Sequence, residues 1–538
     1  MRRMSEQESG EYYEVSALTG RLRVVVAILV GGVIAFGLVL RFWAISSLWL
    51  DEALTVNIAG LPLHEIPGRL KQDGAPPLYY YLLHFWISVF GESDHAVRAL
   101  AGVFGVLTLP VAWIAAKRMG GRTVAWTAVV LLASAPFAVY YSTESRMYSL
   151  VIFLTACGIV ALQRSLTKPR IGNLIAVGVV TAALLYTQYW SLYLVGVVGL
   201  WLLGTMVALR HRSPESSDWR RPLATLVAVA VGCLAFVPWL PTFFYQSKHT
   251  GTPWAAPANF AGVVNAVTGF TFNQGALSTV SSNEGRLLAV IYLGLAALAV
   301  FGVGRSSRVV ELDLFGRPRL RGIAIVVVGT LFAAIAGGLL TSSAFSTRYA
   351  SVIFLPFMII VALGTSTLLS SKGRLIVLAV AVAAGLWISI ESVHSQRTEA
   401  PRVATVLAAH AHTGDVIAFC PDQLGPDTYR LITNRGRYQL VTFPRGVSPE
   451  FVDWVDYAKA SHHGSPTAFA ANLEKRAGTN HHIWLVWMGG YRTFGVKCEQ
   501  IVNLLSAAPG VRSRTWIIGN GAVYYEPMNL SEFTIPAK

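Results

Sequence analysis

Asp51 and Glu52 are adjacent in Ser46-Ser47-Leu48-Trp49-Leu50-Asp51-Glu52-Ala53, immediately after the first long apolar run of the chain. Two neighbouring carboxylates at the outer mouth of such a run form a candidate reaction centre. The same loop continues into Asp73-Gly74-Ala75-Pro76-Pro77-Leu78-Tyr79-Tyr80-Tyr81, which adds a third acid, a rigid proline pair and an aromatic cluster. Tyr140-Tyr141-Ser142-Thr143-Glu144-Ser145-Arg146-Met147-Tyr148 places two charges and three tyrosines at a tight bend, more than a turn requires. Snorkelling is the plain alternative for Arg146. In Ser346-Thr347-Arg348-Tyr349 an arginine beside a tyrosine could clamp a phosphate or simply anchor a helix at the interface. Lys248, His249 and Trp254 lie in a Gly- and Pro-containing stretch that reads equally as a mobile lid or an ordinary basic loop.

The elements that must position these residues follow from composition. The chain has 538 residues, 54% hydrophobic and 13% charged, with a mean hydropathy of +0.52. A soluble protein carries about twice that charge. Apolar stretches long enough for about 30 Å of hydrocarbon recur through the first three quarters, so the reading is a polytopic α-helical membrane protein. About 11 spans are expected near 24–44, 97–116, 123–140, 147–163, 171–187, 190–209, 222–240, 286–304, 322–341, 350–369 and 375–391. The net charge of +15 falls mainly between spans, which argues for helix orientation and against nucleic acid. Arg2, Arg3, Arg21 and Arg23, then Lys117, Arg118 and Arg122, then Arg164, Lys168 and Arg170 alternate with loops poor in basic residues. Arg210, Arg212, Arg220 and Arg221, then Arg305, Arg308, Arg317, Arg319 and Arg321, and finally Lys372 and Arg374 continue the pattern. The positive-inside rule makes that side cytoplasmic, with the N-terminus inside and Asp51, Glu52, Asp73 and the C-terminus outside a plasma (inner) membrane.

Within outer loop 45–96, the segments Leu61 to Leu70 and Tyr79 to Phe90 are too short to span and read as interfacial amphipathic helices. They would wall a cavity facing both lipid and water, suited to a substrate with a greasy tail and a polar head. The expected division is a transmembrane catalytic domain over 1–391 and an extracytoplasmic α/β domain over 392–538. In the second part, Asp415 to Phe419 and His482 to Trp487 read as strands, and Pro401 to His412 and Ala468 to Arg476 as helices. Cys157 and Cys233 read as packing residues, whereas Cys420 and Cys498 could pair in an oxidising compartment. His462-His463 and His481-His482 lack partners at ligand spacing, which argues against zinc. No phosphate-cradling glycine loop, serine nucleophile elbow or nucleotide fingerprint is present.

Taken in order, Leu48-Trp49-Leu50-Asp51-Glu52-Ala53, Pro76-Pro77-Leu78-Tyr79-Tyr80, Glu144-Ser145-Arg146-Met147-Tyr148, and Arg348-Tyr349 before a run containing Pro356 resemble the GT-C membrane glycosyltransferases. The likeness covers about residues 20–370. It is greatest to the bacterial branch related to protein O-mannosyltransferases and the lipid A aminoarabinose transferase. It implies inverting transfer of a sugar from a polyprenyl-phosphate donor, on the outer face, to an envelope glycan, lipid or protein. The sugar would by analogy be of mannose or arabinose type.

By the same resemblance Asp51 is the general base, Glu52 positions the acceptor or the base, and Arg146 and Arg348 neutralise the departing phosphate. Tyr79, Glu144, Tyr148 and Tyr349 fall in with the donor-binding set, and Lys248 and His249 are counted with it from their place in loop 241–285. Asp73 stands where some relatives carry Lys or His, and so reads as a secondary acid or a metal ligand. No metal site is assigned, although a divalent ion is left open as cofactor. Trp484, Trp487 and Tyr491 could stack on an acceptor glycan or belong to a strand core. A flippase or transporter of a lipid-linked sugar is the alternative, and would place charges or broken helices at mid-membrane. A non-catalytic scaffold would leave Asp51 and Glu52 unexplained.

Overall fold

The computed structural model describes residues 20–213, 215–251, 259, 261–272, 283–306, 309–312, 318–341, 346–368, 370–479 and 481–535. Arg2, Arg3, Trp254, Arg308 and Arg317 lie outside the described residues.

Among the described residues nine helical segments are long and apolar enough to cross a membrane. One of them, Asp94–Ser134, has 41 residues and would measure about 60 Å if straight, twice the hydrocarbon thickness. It breaks at Gly121, whose φ of 78° and ψ of −171° leave the helical region. The run is therefore two spans meeting at a turn flanked by Lys117, Arg118 and Arg122. The apolar helix Ile171–Thr187 has 17 residues, about 25 Å, and packs against Tyr148–Thr167 and Arg220–Leu234. Each of the expected spans thus has its own helix.

Thr347–Thr367 runs through the middle of the bundle and is almost wholly buried. The first apolar helix, Gly20–Leu40, is followed by Arg41, which turns inward. Its guanidinium donates to Gly37 O at 2.6 Å, Ala133 O at 3.1 Å and Leu132 O at 2.7 Å. The last two are carbonyls in the final turn of Asp94–Ser134, where Leu132 O also accepts the Ala135 N–H at 3.4 Å.

Segment 45–96 holds three helices where two were expected: Leu50–Ala59, Ile66–Asp73 and Leu78–Phe90. The additional one carries Asp51 and Glu52. Eight of its ten residues are buried, so it lacks the polar stripe by which a surface helix is recognised.

Beyond the last apolar helix, which ends at His394, strand Gln396–Thr398 pairs in parallel with Tyr524–Glu526. The rest of the tail is built on five strands: β1 (Val416–Cys420), β2 (Gln439–Thr442), β3 (His482–Trp487), β4 (Arg512–Ile517) and β5 (Asn529–Thr534), in the order β2-β1-β3-β5-β4. β1 pairs in parallel with β2 and β3; β5 is antiparallel to β3 and β4. Helices cover both faces, which is why β1 is buried along its whole length. Val416, Ala418 and Cys420 meet Phe469, Leu473 and Ile501 on one side, while Ile417 and Phe419 meet Val403 and Leu407 on the other. Cys420 and Cys498 form a disulfide that closes a separation of 78 residues.

The tail is fastened to segment 45–96. Arg430 donates to Asn57 Oδ1 at 3.1 Å, and Asn57 donates to Glu450 O at 2.8 Å. The Trp454 N–H donates to Gln72 O at 3.2 Å, and the Arg69 guanidinium lies 4.1 Å from the Phe451 ring centre. A cavity of about 660 Å³ lies where membrane helices, outer loop and tail meet.

Candidate active site

Consecutive residues on a helix point about 100° apart, so Asp51 and Glu52 cannot share a surroundings. Asp51 faces the cavity. Its Oδ2 lies 2.6 Å from Arg348 Nη1 and 4.0 Å from Arg146 Nη2. Asp51, Arg348 and Arg146 are 17%, 14% and 12% exposed, enough for each to reach the cavity while it stays shielded from bulk water. Arg348 is held by the 3-10 turn Thr347–Ala350 that opens the central helix. Arg146 comes from the bend between Pro136–Ser142 and Tyr148–Thr167, and also donates to Thr55 Oγ1 at 2.8 Å. Two guanidinium groups flank the Asp51 carboxylate, with Asp73 also acting on Arg146, and their planar N–H forks suit a phosphate beside the acid.

Glu52 points the other way and is fully buried. It accepts from Arg98 Nε at 2.8 Å and Arg98 Nη2 at 2.6 Å, from the Ser145 N–H at 2.8 Å and from Arg397 Nη1 at 3.4 Å. Burial works to raise its pKa, but Arg98 and then Arg397 outweigh burial and hold it below the usual carboxylate range. Arg397 also donates to Thr143 O and Thr143 Oγ1, at 2.9 and 2.8 Å. Of the two roles expected for Glu52, positioning the acceptor or the base, this burial excludes direct contact with an acceptor in the cavity and is compatible with the second. Its oxygens are sealed off from the cavity, and it ties the Asp51 helix to the Asp94–Ser134 run and to the tail.

Asp73 ends Ile66–Asp73, after which Gly74, with a φ of 91°, turns the chain into Pro76 and Pro77. A side chain at Gly74 would meet Thr250 Oγ1 at 2.7 Å. Asp73 lines the cavity and accepts from the Tyr80 hydroxyl at 2.9 Å. Burial raises its pKa, opposed by Arg146 and by that hydroxyl. Its neighbours are the Tyr80 hydroxyl, Arg146 and the Asp51 carboxylate, and among the described residues no group of three or more His, Cys, Asp or Glu could hold a metal ion.

Tyr349 lines the cavity beside Trp190, with ring centres 5.8 Å apart. Glu144, Tyr79 and Tyr148 lie behind the wall, each buried. Glu144 Oε2 has no hydrogen-bond partner, and burial pushes its carboxyl up to about 7. Tyr148 packs on Tyr141 with ring centres 4.8 Å apart. Lys248 is exposed away from the cavity, and His249 Nδ1 sits 3.1 Å from Asp456 of the tail. Of that stretch, Thr250 and Gly251 reach the cavity instead. Trp484 and Trp487 are strand residues bonded to Asp415 and Ser531; Tyr491 alone of the three aromatics lines the cavity.

Sequence reasoning missed Arg98, Arg397 and the tail's contribution. Arg98 had left a signal, a charge inside an expected span. The tail supplies Gln423, Trp454, Tyr491, Arg492, Tyr525 and Glu526 to the cavity. Glu526 Oε2 accepts the Leu50 N–H at 3.2 Å, at the start of the Asp51 helix.

Residues 74–241, somewhat under a third of the chain, match the family model of dolichyl-phosphate-mannose-protein mannosyltransferases. The fold is similar to that of ArnT from Cupriavidus metallidurans bound to undecaprenyl phosphate, with a TM-score of 0.56, 13% identity, and 96% of this chain and 98% of that chain covered. It is also similar to the arabinofuranosyltransferase AftD from Mycobacteria, with a TM-score of 0.52, 15% identity, and 97% of this chain and 42% of that one covered. A search of curated protein sequences finds no match. The chain has the GT-C membrane fold, with a C-terminal region built on a sheet.

Proposed function

We propose that the protein is an inverting glycosyltransferase that moves a sugar from a polyprenyl-phosphate donor to an acceptor hydroxyl. The observation that carries this reading is the Asp51 carboxylate, set between Arg348 and Arg146 on the wall of a large cavity. Asp51 takes the proton of the attacking hydroxyl, and the two arginines stabilise the lipid phosphate as it leaves. A lipid phosphate departs as a stable anion, so a single base suffices where a glycosidase also needs an acid. The family match and the likeness to ArnT, whose structure holds undecaprenyl phosphate, support a donor of this class.

The basic residues at alternating helix ends support an N-terminus inside and the cavity outside a plasma membrane. The Cys420–Cys498 disulfide supports an oxidising exterior for the tail. A transporter would need its polar groups at mid-membrane; Arg348 and Arg146 instead stand at or beyond helix ends. The sugar is of mannose or arabinose type, and the acceptor belongs to the cell envelope. The test is incubation of membranes holding the protein with a panel of radiolabelled polyprenyl-phosphate sugars. Transfer with inversion from one of them is expected; transfer from none would sink the reading.

A further inference from the structure

Asp51 is the second residue of a helix whose start its own sequence leaves uncapped. The residue before the helix is Trp49, which makes no side-chain cap. The Leu50 N–H is one of the donors that every helix start leaves without an intrahelical partner. Leu50 is buried, and a buried donor left unpaired is costly.

The cap comes from the tail. Glu526 Oε2 accepts the Leu50 N–H at 3.2 Å, across 476 residues of sequence. Glu526 is itself held on several sides. It is buried, it stands opposite Thr398 in the short parallel pairing, and its carbonyl accepts the Glu399 N–H at 3.1 Å. The Thr398 hydroxyl donates to Asp427 Oδ2 at 2.6 Å, and Asp427 Oδ1 accepts the Thr428 N–H at 2.8 Å. Asp427 and Glu526 share a hydrogen bond, which needs a proton on one of the two carboxyls. Asp427 and the Leu50 N–H thus face the Glu526 carboxyl directly, with Asp51, Tyr491 and Tyr525 in its electrostatic reach.

The neighbouring tail residue Arg397 works on the opposite face of the same helix. Its guanidinium reaches Glu52 at 3.4 Å and its N–H donates to Ser46 Oγ at 2.8 Å. Arg397 therefore holds the helix by its enclosed side, whereas Glu526 holds its first residue, next to the base.

We infer that Glu526 is a positioning residue for Asp51: by accepting the Leu50 N–H, with its own carboxyl held by Asp427, it sets the orientation in which the base meets the attacking hydroxyl. This rests on the glycosyltransferase reading above. A general base must lie within hydrogen-bond reach of the proton it takes, and a misplacement of about 1 Å costs up to about 100-fold in rate. Glu526 acts through the helix and makes or breaks no bond in the transfer.

The experiment uses the full chain in lipid nanodiscs, with Glu526→Leu, Glu526→Asp and Glu526→Gln made in the wild-type and Asp51→Asn backgrounds. Leu cannot accept the N–H and Asp is one methylene short, whereas Gln keeps an acceptor oxygen and turns an N–H toward Asp427. Glu526→Leu and Glu526→Asp should each lower kcat about tenfold or more, with KM for donor and acceptor unchanged, and Glu526→Gln should restore most of the loss. In the Asp51→Asn background Glu526→Leu should cost the residual transfer nothing further, because no base is left to position. Amide hydrogen exchange over residues 50–54 should rise in Glu526→Leu and not in Glu526→Gln, while exchange in the five-stranded sheet and binding of polyprenyl phosphate stay as in wild type. The inference is overturned if acceptor KM rises at constant kcat, which would make Glu526 an acceptor contact. It is overturned equally if Glu526→Gln transfers no faster than Glu526→Leu, if the cost of Glu526→Leu is the same with and without Asp51, or if exchange over 50–54 does not change. No transfer by the wild type from any donor, with exchange responding as expected, would instead remove the glycosyltransferase reading and leave the cap.

Discussion

The two faces of the Leu50–Ala59 helix carry neighbouring acids with different work. Glu52 has two arginines and a backbone N–H around it and no access to the cavity; Asp51 has two arginines and the cavity in front of it. Residue type and adjacency in sequence are the same in kind. What separates them is whether the arginines enclose the carboxylate or leave it open on one side. The tail shows a third arrangement. Asp427 and Glu526 are buried together and share a hydrogen bond, and burial raises both above their ordinary range. Burial alone therefore does not set the charge of an acid here; the partners do.

The largest expected effect comes from breaking the enclosed side. Glu52→Gln would leave Arg98 and Arg397 buried without their counter-charge, a loss of about 3–5 kcal/mol. The measurement is folded yield and thermal midpoint in detergent, and a variant as stable as wild type would show that the comparison is misdrawn. Arg348→Met acts on the open side. Turnover should fall about 10²–10³-fold with the loss of one donor to the leaving phosphate, while the thermal midpoint moves less than for Glu52→Gln. Kinetics and unfolding of the same preparation separate the two.

The smallest effect is a pH dependence of the tail. Asp422 is pushed up to about 7 by burial, against the Tyr457 hydroxyl, and burial also raises Asp427, which shares a hydrogen bond with Glu526. Their folded values lie above the unfolded value of about 3.9, so the folded state keeps protons that the unfolded chain has released. The stability they contribute is complete below about pH 4 and is lost as pH rises toward the folded Asp422 value of about 7. Glu52, held low, runs the other way and loses its contribution on acidification. Asp427→Asn should flatten the fall in the tail's melting temperature between pH 4 and 7; an unchanged slope would contradict the assignment.

Run length and charge made the membrane spans legible, because a bilayer sets one thickness and basic residues mark alternate ends. β1 and β3 were visible as short apolar runs of buried strands. The Asp51 helix was not, since packing on all sides erased its periodicity. Asp51, Arg146 and Arg348 were found as separate loop features, and their meeting was not derivable from spacing. Nor was the tail wall: Glu526 lies 476 residues from Leu50, whose N–H it receives. Such contacts depend on docking of the tail, which leaves no local pattern.

The central claim is that Asp51 takes the acceptor proton. The most direct test compares wild type with Asp51→Asn, matched for amount in membranes, for transfer from the polyprenyl-phosphate sugar the wild type uses and for binding of polyprenyl phosphate. The substitution removes the base and nearly preserves volume. Transfer should fall about 10²–10⁴-fold with lipid-phosphate binding retained; equal transfer by both proteins would remove Asp51 as the base.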